Sequence, residues 1–204
     1  MRLQNPFAVL STTGLDSQVL QVTADTEQLL SATQIAELLP EGGTRQGVQK
    51  ALDRLVDQGI ITETTVGRSR AYTLNRQHLL ADAVLSIHRS RSTLLTRTAA
   101  AVAAWPVAPT TVTLFGSAAR DDMRTDSDID LLIVLPDDAD PEIAEQQVHD
   151  LATAMSLWTG NDVRPLVYRE SEVSPAPVFD EILRDGIPVA GDRSWLRRHL
   201  RATS

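Results

Sequence analysis

The segment "LFGSAARDDMRTDSDIDLLIVL", Leu114–Leu135, constrains this chain more than any other, because it sets acids at the mouth of an apolar run. In a strand, Asp128 and Asp130 project to one face while Ile129 and Leu131 turn to the other. Carboxylates at the start of a buried strand are costly unless a cation meets them. Two of them side by side repel, and one stays protonated unless a divalent ion bridges the pair. Oxygen-only ligands on a rigid strand suit Mg²⁺ or Mn²⁺, which accept few protein ligands and welcome substrate phosphates. Just upstream, "TVTLF" reads as a β-branched strand, Gly116-Ser117 as a turn, and "AARDDM" as helix-compatible. Such a strand–turn–helix step aims backbone N–H groups at whatever occupies the turn, which suits phosphate. Gly116 permits close approach of the backbone, and Ser117 adds a hydroxyl donor. An exposed acidic strand edge would explain a lone D-x-D; the phosphate-type turn beside it argues for a site.

The first half carries a different pattern. Leu15, Val19 and Val22 recur at helical spacing and predict an amphipathic helix over roughly 15–24. A second helix starts at "SATQIAELL", with Ser31 as cap and Gln34 at the capping-box position, and stops at "PEGG". The third, "TRQGVQKALDRLVDQG", has Thr44 as cap, Val48, Leu52, Leu55 and Val56 as buried stripe, and Gly59 as its end. "IITETTV" and "AYTL" then read as two strands joined by "GRSR", a hairpin with Arg68 and Arg70 at its tip. The outward face of the third helix offers Arg45, Gln46, Gln49, Lys50 and Arg54, side chains able to reach base edges or phosphates in a major groove. The tip arginines suit backbone or minor-groove contact. Residues 10–76 resemble the winged helix-turn-helix domains of bacterial transcription regulators. That resemblance implies double-stranded DNA as partner; a protein-docking or dimerisation module is the competing reading, since Asp53 and Asp57 dilute the basic face.

Gln77–Trp105 keeps helical spacing through Leu80, Val84, Ile87, Leu94, Thr98, Ala101 and Trp105, interrupted by the polar patch "HRSRS". As one helix it would span about 43 Å. A stiff connector, a dimerisation surface for a symmetric DNA site, or two helices broken near Ser90 all fit. His78 and His88 read as surface residues, with no acid or second histidine at metal spacing.

At 204 residues the chain can bury two small cores. The net charge of −8 resides almost entirely in the second half, so any nucleic-acid contact must come from local basic clusters. The absence of cysteine excludes disulfides and thiolate metal sites. "MRLQNPFAVLSTTG" lacks the apolar core of a secretory signal, and "AAAVAAWPVA" is too short to span a membrane, so a cytoplasmic location with no membrane partner is expected.

The pattern G-S-x₁₀-D-x-D, Gly116, Ser117, Asp128 and Asp130, resembles the DNA polymerase β-like nucleotidyltransferase superfamily, and "GSAAR…SDIDLLIVL" is most similar to its minimal, antitoxin-type members. The resemblance covers roughly residues 108–170. It implies an α/β domain with a short mixed sheet, so that with the winged helix-turn-helix resemblance and the helical spacing the expected chain is α+β: an N-terminal winged helix-turn-helix (1–76), a linker helix (77–105) and a nucleotidyltransferase domain (106–204). It further implies that Gly116 and Ser117 hold the phosphates of an NTP, with Arg120 and Ser127 matching family positions beside them. Asp128 and Asp130 would hold two metal ions. The implied reaction moves an NMP to an acceptor hydroxyl on a protein, RNA or small molecule, releasing pyrophosphate. The family's third carboxylate comes from a later strand. Here "GNDVRPLVYRESE" puts Arg164 at that position, and Asp162, of the same strand parity, is the candidate substitute. A nucleotide-sensing regulator with weak or absent transfer is therefore the alternative. Pro165 predicts that this strand is at an edge or irregular.

Overall fold

The structure, a computed structural model, describes residues 1–9, 14–124 and 126–203. The chain divides into two compact units, one of residues 5–91 and one of residues 1–4 with 92–204.

In the first unit, helices α1 (Leu15–Asp25), α2 (Ala32–Glu37) and α3 (Arg45–Asp57) precede strands β1 (Ile61–Val66) and β2 (Ser69–Leu74), and α4 (Ala81–His88) follows. The helix starts obey their capping chemistry. Ser31 Oγ accepts from the Gln34 N–H while Gln34 Oε1 accepts from the Ser31 N–H. Thr44 Oγ1 accepts from the Gly47 N–H at 3.1 Å. Val48, Ala51, Leu52 and Leu55 form the buried stripe of α3. They pack with Val19, Ile35, Ile61 and Tyr72 in one core. β1 and β2 pair antiparallel from Ile61↔Leu74 to Val66↔Ser69. Only Gly67 and Arg68 remain for the tip, so Arg70 lies within β2, bound to Glu63 at 3.3 Å, not at the tip as expected. Leu30 adds a single bridge to Tyr72 on the other side of β2.

The expected helix over 77–105 is two helices, α4 and α5 (Ser90–Ala103), separated at Arg89. The Ser90 hydroxyl donates to the Ile87 carbonyl at 2.6 Å, a side-chain bond that competes with the backbone ladder. Residues 75–77 are also outside the helix, because Asn75 Oδ1 accepts the Gln77 N–H in a turn. The boundary between the two units falls in the first turn of α5.

The second unit is built on a mixed four-stranded sheet, order β5-β4-β3-β6, from β3 (Thr111–Phe115), β4 (Ile129–Leu135), β5 (Val163–Arg169) and β6 (Ile187–Gly191). β4 runs antiparallel to β3 and parallel to β5, the crossover passing through α7 (Pro141–Thr159). Pro165 sits in β5, an edge strand, where its missing N–H costs no ladder bond to a further strand. The period-2 rule sorts β4 into two faces. Ile129, Leu131, Ile133 and Leu135 pack with Leu94 and Val102 of α5 and Leu151 and Met155 of α7. Leu132 and Val134 pack with Phe179 and Ile182 of α8 (Pro177–Asp185) and with Leu196 and Leu200 of α9 (Trp195–Thr203). Leu3 joins the α5/α7 face, and Gln4 donates to the Met123 carbonyl at 2.7 Å. Asp130 shares its parity with Leu132, which puts it on the α8 side of the sheet, while Asp128, expected on the same strand, lies just before β4 begins.

Candidate nucleotide site

β3 ends at Phe115, the chain turns at Gly116, and the four-residue helix α6 (Ser117–Arg120) begins. Gly116 has φ +69° and ψ −152°, a region essentially closed to residues with a side chain. A Cβ built there would lie 2.3 Å from Asp130 Oδ2. The Gly-Ser turn and the second acid of β4 are thus in direct contact, because Phe115 pairs with Asp130 across the antiparallel β3/β4 ladder. Ser117 is half-buried beside them.

Burial pushes the Asp130 carboxyl above its ordinary pKa, and the charge of neighbouring Asp128 pushes it further. Arg164 opposes this shift, Glu181 of α8 adds to it and Arg120 weakly opposes it. Asp130 therefore has the signature of a carboxylate short of positive charge.

That shortage is only partly met from within the chain. The β4/β5 ladder pairs Asp130 with Arg164. Arg164 Nη1 lies 2.7 Å from Asp128 Oδ2, and its Nε lies 3.6 Å from Asp162 Oδ2. Asp162 sits at the exposed start of β5, its side chain 68% accessible against 26% for Asp128. Its backbone carbonyl accepts the Ile129 N–H at 2.8 Å, so its main chain helps set the register of β4 while its carboxylate is held by Arg164. Among the described residues, no group of three or more His, Asp or Glu is placed to hold a metal ion. The chemistry of the donor set fits one hard divalent cation at Asp128 and Asp130. It does not fit a three-carboxylate arrangement, because the ladder neighbour of Asp130 on β5 is Arg164 and the Asp162 carboxylate lies against that guanidinium.

Arg120 turns to α8 and pairs with Glu181, with Asp122 at 3.6 Å on its other side. Glu181 is the residue that sequence reasoning missed. Its only signal is its place next to Ile182 on the buried stripe of an amphipathic helix, which does not reveal what that stripe packs against. Ser127 closes the loop before β4: its Oγ accepts the Arg124 N–H at 2.8 Å and its carbonyl accepts from Asn161 Nδ2 at 2.9 Å.

In the first unit the candidate contact residues fall into two groups. Arg45, Gln46, Lys50 and Arg68 are exposed. Gln49 is half-buried and its amide donates to Asp53 at 2.8 Å and to the Tyr72 hydroxyl at 2.9 Å. Arg54 is paired with Asp16 at 2.6 Å, and Arg70 with Glu63.

The family model of the nucleotidyltransferase domain matches residues 99–171. No curated protein matches the chain. A chain from the crystal structure of a toxin–antitoxin with AMP-PNP is similar at 18% identity and a TM-score of 0.37, over 56% of this chain and 82% of that one. A mutant of the toxin–antitoxin MntA–HpeT is similar at 15% identity and a TM-score of 0.41, over 53% of this chain and 82% of that one.

Proposed function

We propose that residues 92–204 bind a nucleoside triphosphate with Mg²⁺ or Mn²⁺ and transfer its NMP moiety to an acceptor hydroxyl on a protein or RNA. The observation that carries this is the contact of the Gly116 turn with Asp130, which brings a phosphate-type turn and an acid pair into one site. The nucleotidyltransferase match over residues 99–171 supports the same reaction class. Gly116 and Ser117 would receive the phosphates, and Asp128 and Asp130 would hold the cation. Once bound, the cation supplies charge neutralisation for the phosphates. The protein's own contribution is to fix the carboxylates on a buried strand and to pack α8 against one side of the site.

Residues 5–91 are proposed to bind double-stranded DNA as a winged helix-turn-helix and to regulate transcription. Arg45, Gln46 and Lys50 on α3 and Arg68 at the hairpin tip are the contacting side chains. Gln49, Arg54 and Arg70 are already engaged within the fold and play supporting parts.

Incubation of the full chain with each labelled NTP and Mg²⁺ tests the transferase. Pyrophosphate release that is lost in Asp128→Asn and Asp130→Asn is the expected result; release unchanged in both variants would refute the site. One observation favours a second reading. Arg164 on Asp128 suits a domain that senses nucleotide with little turnover. Nucleotide binding without pyrophosphate release selects that reading.

A further inference from the structure

Resting on the nucleotide-binding reading above, we infer that the acid pair takes one divalent cation and that the Arg164 guanidinium stands where a second would be. Three features of this chain converge on it. The parallel register sets Arg164 directly beside Asp130 on the same sheet face. Its Nη1 reaches Asp128 at 2.7 Å, so the guanidinium lies against the carboxylate that any second cation would share. Asp162 holds the Nε edge at 3.6 Å from the other side, which orients the fork toward the acids.

A second cation beside Asp128 would face the positive charge of the Arg164 guanidinium. The substitution also changes the chemistry. A guanidinium offers N–H donors and charge, as a metal offers charge, but it has no coordination site and cannot acidify an acceptor hydroxyl by binding it. Arg164 is therefore a positioning residue: it holds Asp128, offsets its charge and adds no metal ligand of its own.

The test counts metal. The full-length protein is saturated with α,β-methylene analogues of the NTPs. Bound nucleotide is measured by equilibrium dialysis, and bound Mn²⁺ by electron paramagnetic resonance. We expect one Mn²⁺ per bound nucleotide in the wild type. Arg164→Asp, which supplies the missing carboxylate, should bind two. Arg164→Gln, which removes only the charge, should stay at one with several-fold tighter Mn²⁺ binding. Two Mn²⁺ in the wild type, or one in an Arg164→Asp protein whose circular dichroism is native, overturns the inference. An Arg164→Gln protein whose single Mn²⁺ is no tighter than the wild type's overturns it as well. A chain that binds none of the nucleotide analogues refutes the nucleotide reading itself, a result distinct from a wrong metal count.

Discussion

Gly116→Ala is the substitution that asks most of the site. The backbone at this position has φ +69° and ψ −152°. Holding a residue with a Cβ there costs about 1–3 kcal/mol before any contact is considered. The new methyl would then lie 2.3 Å from Asp130 Oδ2 and 3.2 Å from its Cγ. Normal carbon contacts are roughly 3.5 Å or more, so the carboxylate must retreat by roughly 1 Å. It cannot retreat along the strand, because the ladders to Phe115 and Arg164 fix β4 on both sides. The side chain must rotate out of the site instead. Gly160 provides the control. It ends α7 at φ +71°, and nothing lies within 4 Å of its built Cβ. Gly160→Ala should therefore cost only the left-handed backbone, about 1–2 kcal/mol. Urea denaturation of both variants measures the two costs. Gly116→Ala should be the less stable of the two and should lose tenfold or more in affinity for Mn²⁺ with nucleotide, while Gly160→Ala keeps the wild-type affinity. A Gly116→Ala protein as stable as Gly160→Ala, with unaltered Mn²⁺ binding, would show that the turn and Asp130 are not mechanically joined.

Asp130→Asn should change the pH dependence of stability. The folded-state pKa of Asp130 is raised, by burial first and by Asp128 second. Its contribution is fully present below the unfolded value near about pH 4 and is lost as pH rises through the folded value. The variant should thus match the wild type in acid and exceed its melting temperature at neutral pH; equal melting temperatures throughout would contradict the burial argument. Thr44→Ala removes the cap of α3 and should cost about 1 kcal/mol in urea denaturation, whereas Thr44→Ser should retain most of it. Lys50→Ala and Arg68→Ala should each lower the slope of log affinity against log salt for DNA by about 0.9, read by fluorescence anisotropy. If Arg70→Ala lowers that slope as much, the distinction between the tip and strand positions is wrong.

Much of the fold follows from short-range rules, and those rules explain which parts were legible. Ser31, Gln34 and Thr44 announce helix starts because capping is settled within four residues. The two faces of β4 follow from strand parity, and Pro165 announces an edge because it lacks a donor. What lay beyond the sequence was set by contacts distant in the chain. Glu181 reaches the site only because α8 covers the same sheet face as Asp130. Gln49 belongs to the outward face of α3 by spacing, yet its amide is taken by Tyr72 of β2. Residues 77–105, by contrast, are open by spacing to one helix or to two broken near Ser90, and the structure has the two, with the Ser90 hydroxyl donating back to the Ile87 carbonyl.

Arg164 stands out in the sequence and in the sheet alike. Sequence alignment of "NDVRP" on a strand pattern places arginine at the third-acid position, but leaves its direction and the part played by Asp162 unset. The parallel register resolves both. It puts Arg164 beside Asp130 and lets the guanidinium reach Asp128, while the Asp162 carboxylate is spent on the far side of the same group. Asp128 and Asp130 therefore differ although they are two residues apart, Asp128 just before β4 and Asp130 within it. Asp128 is in ion-pair contact with Arg164, whereas Asp130 is pressed against Gly116 and raised by burial, which Arg164 and Arg120 oppose. A ligand bringing a single cation completes Asp130 without displacing Arg164. One that needs two would have to break the 2.7 Å pair, and the guanidinium, once released, would face the incoming charge beside Asp162.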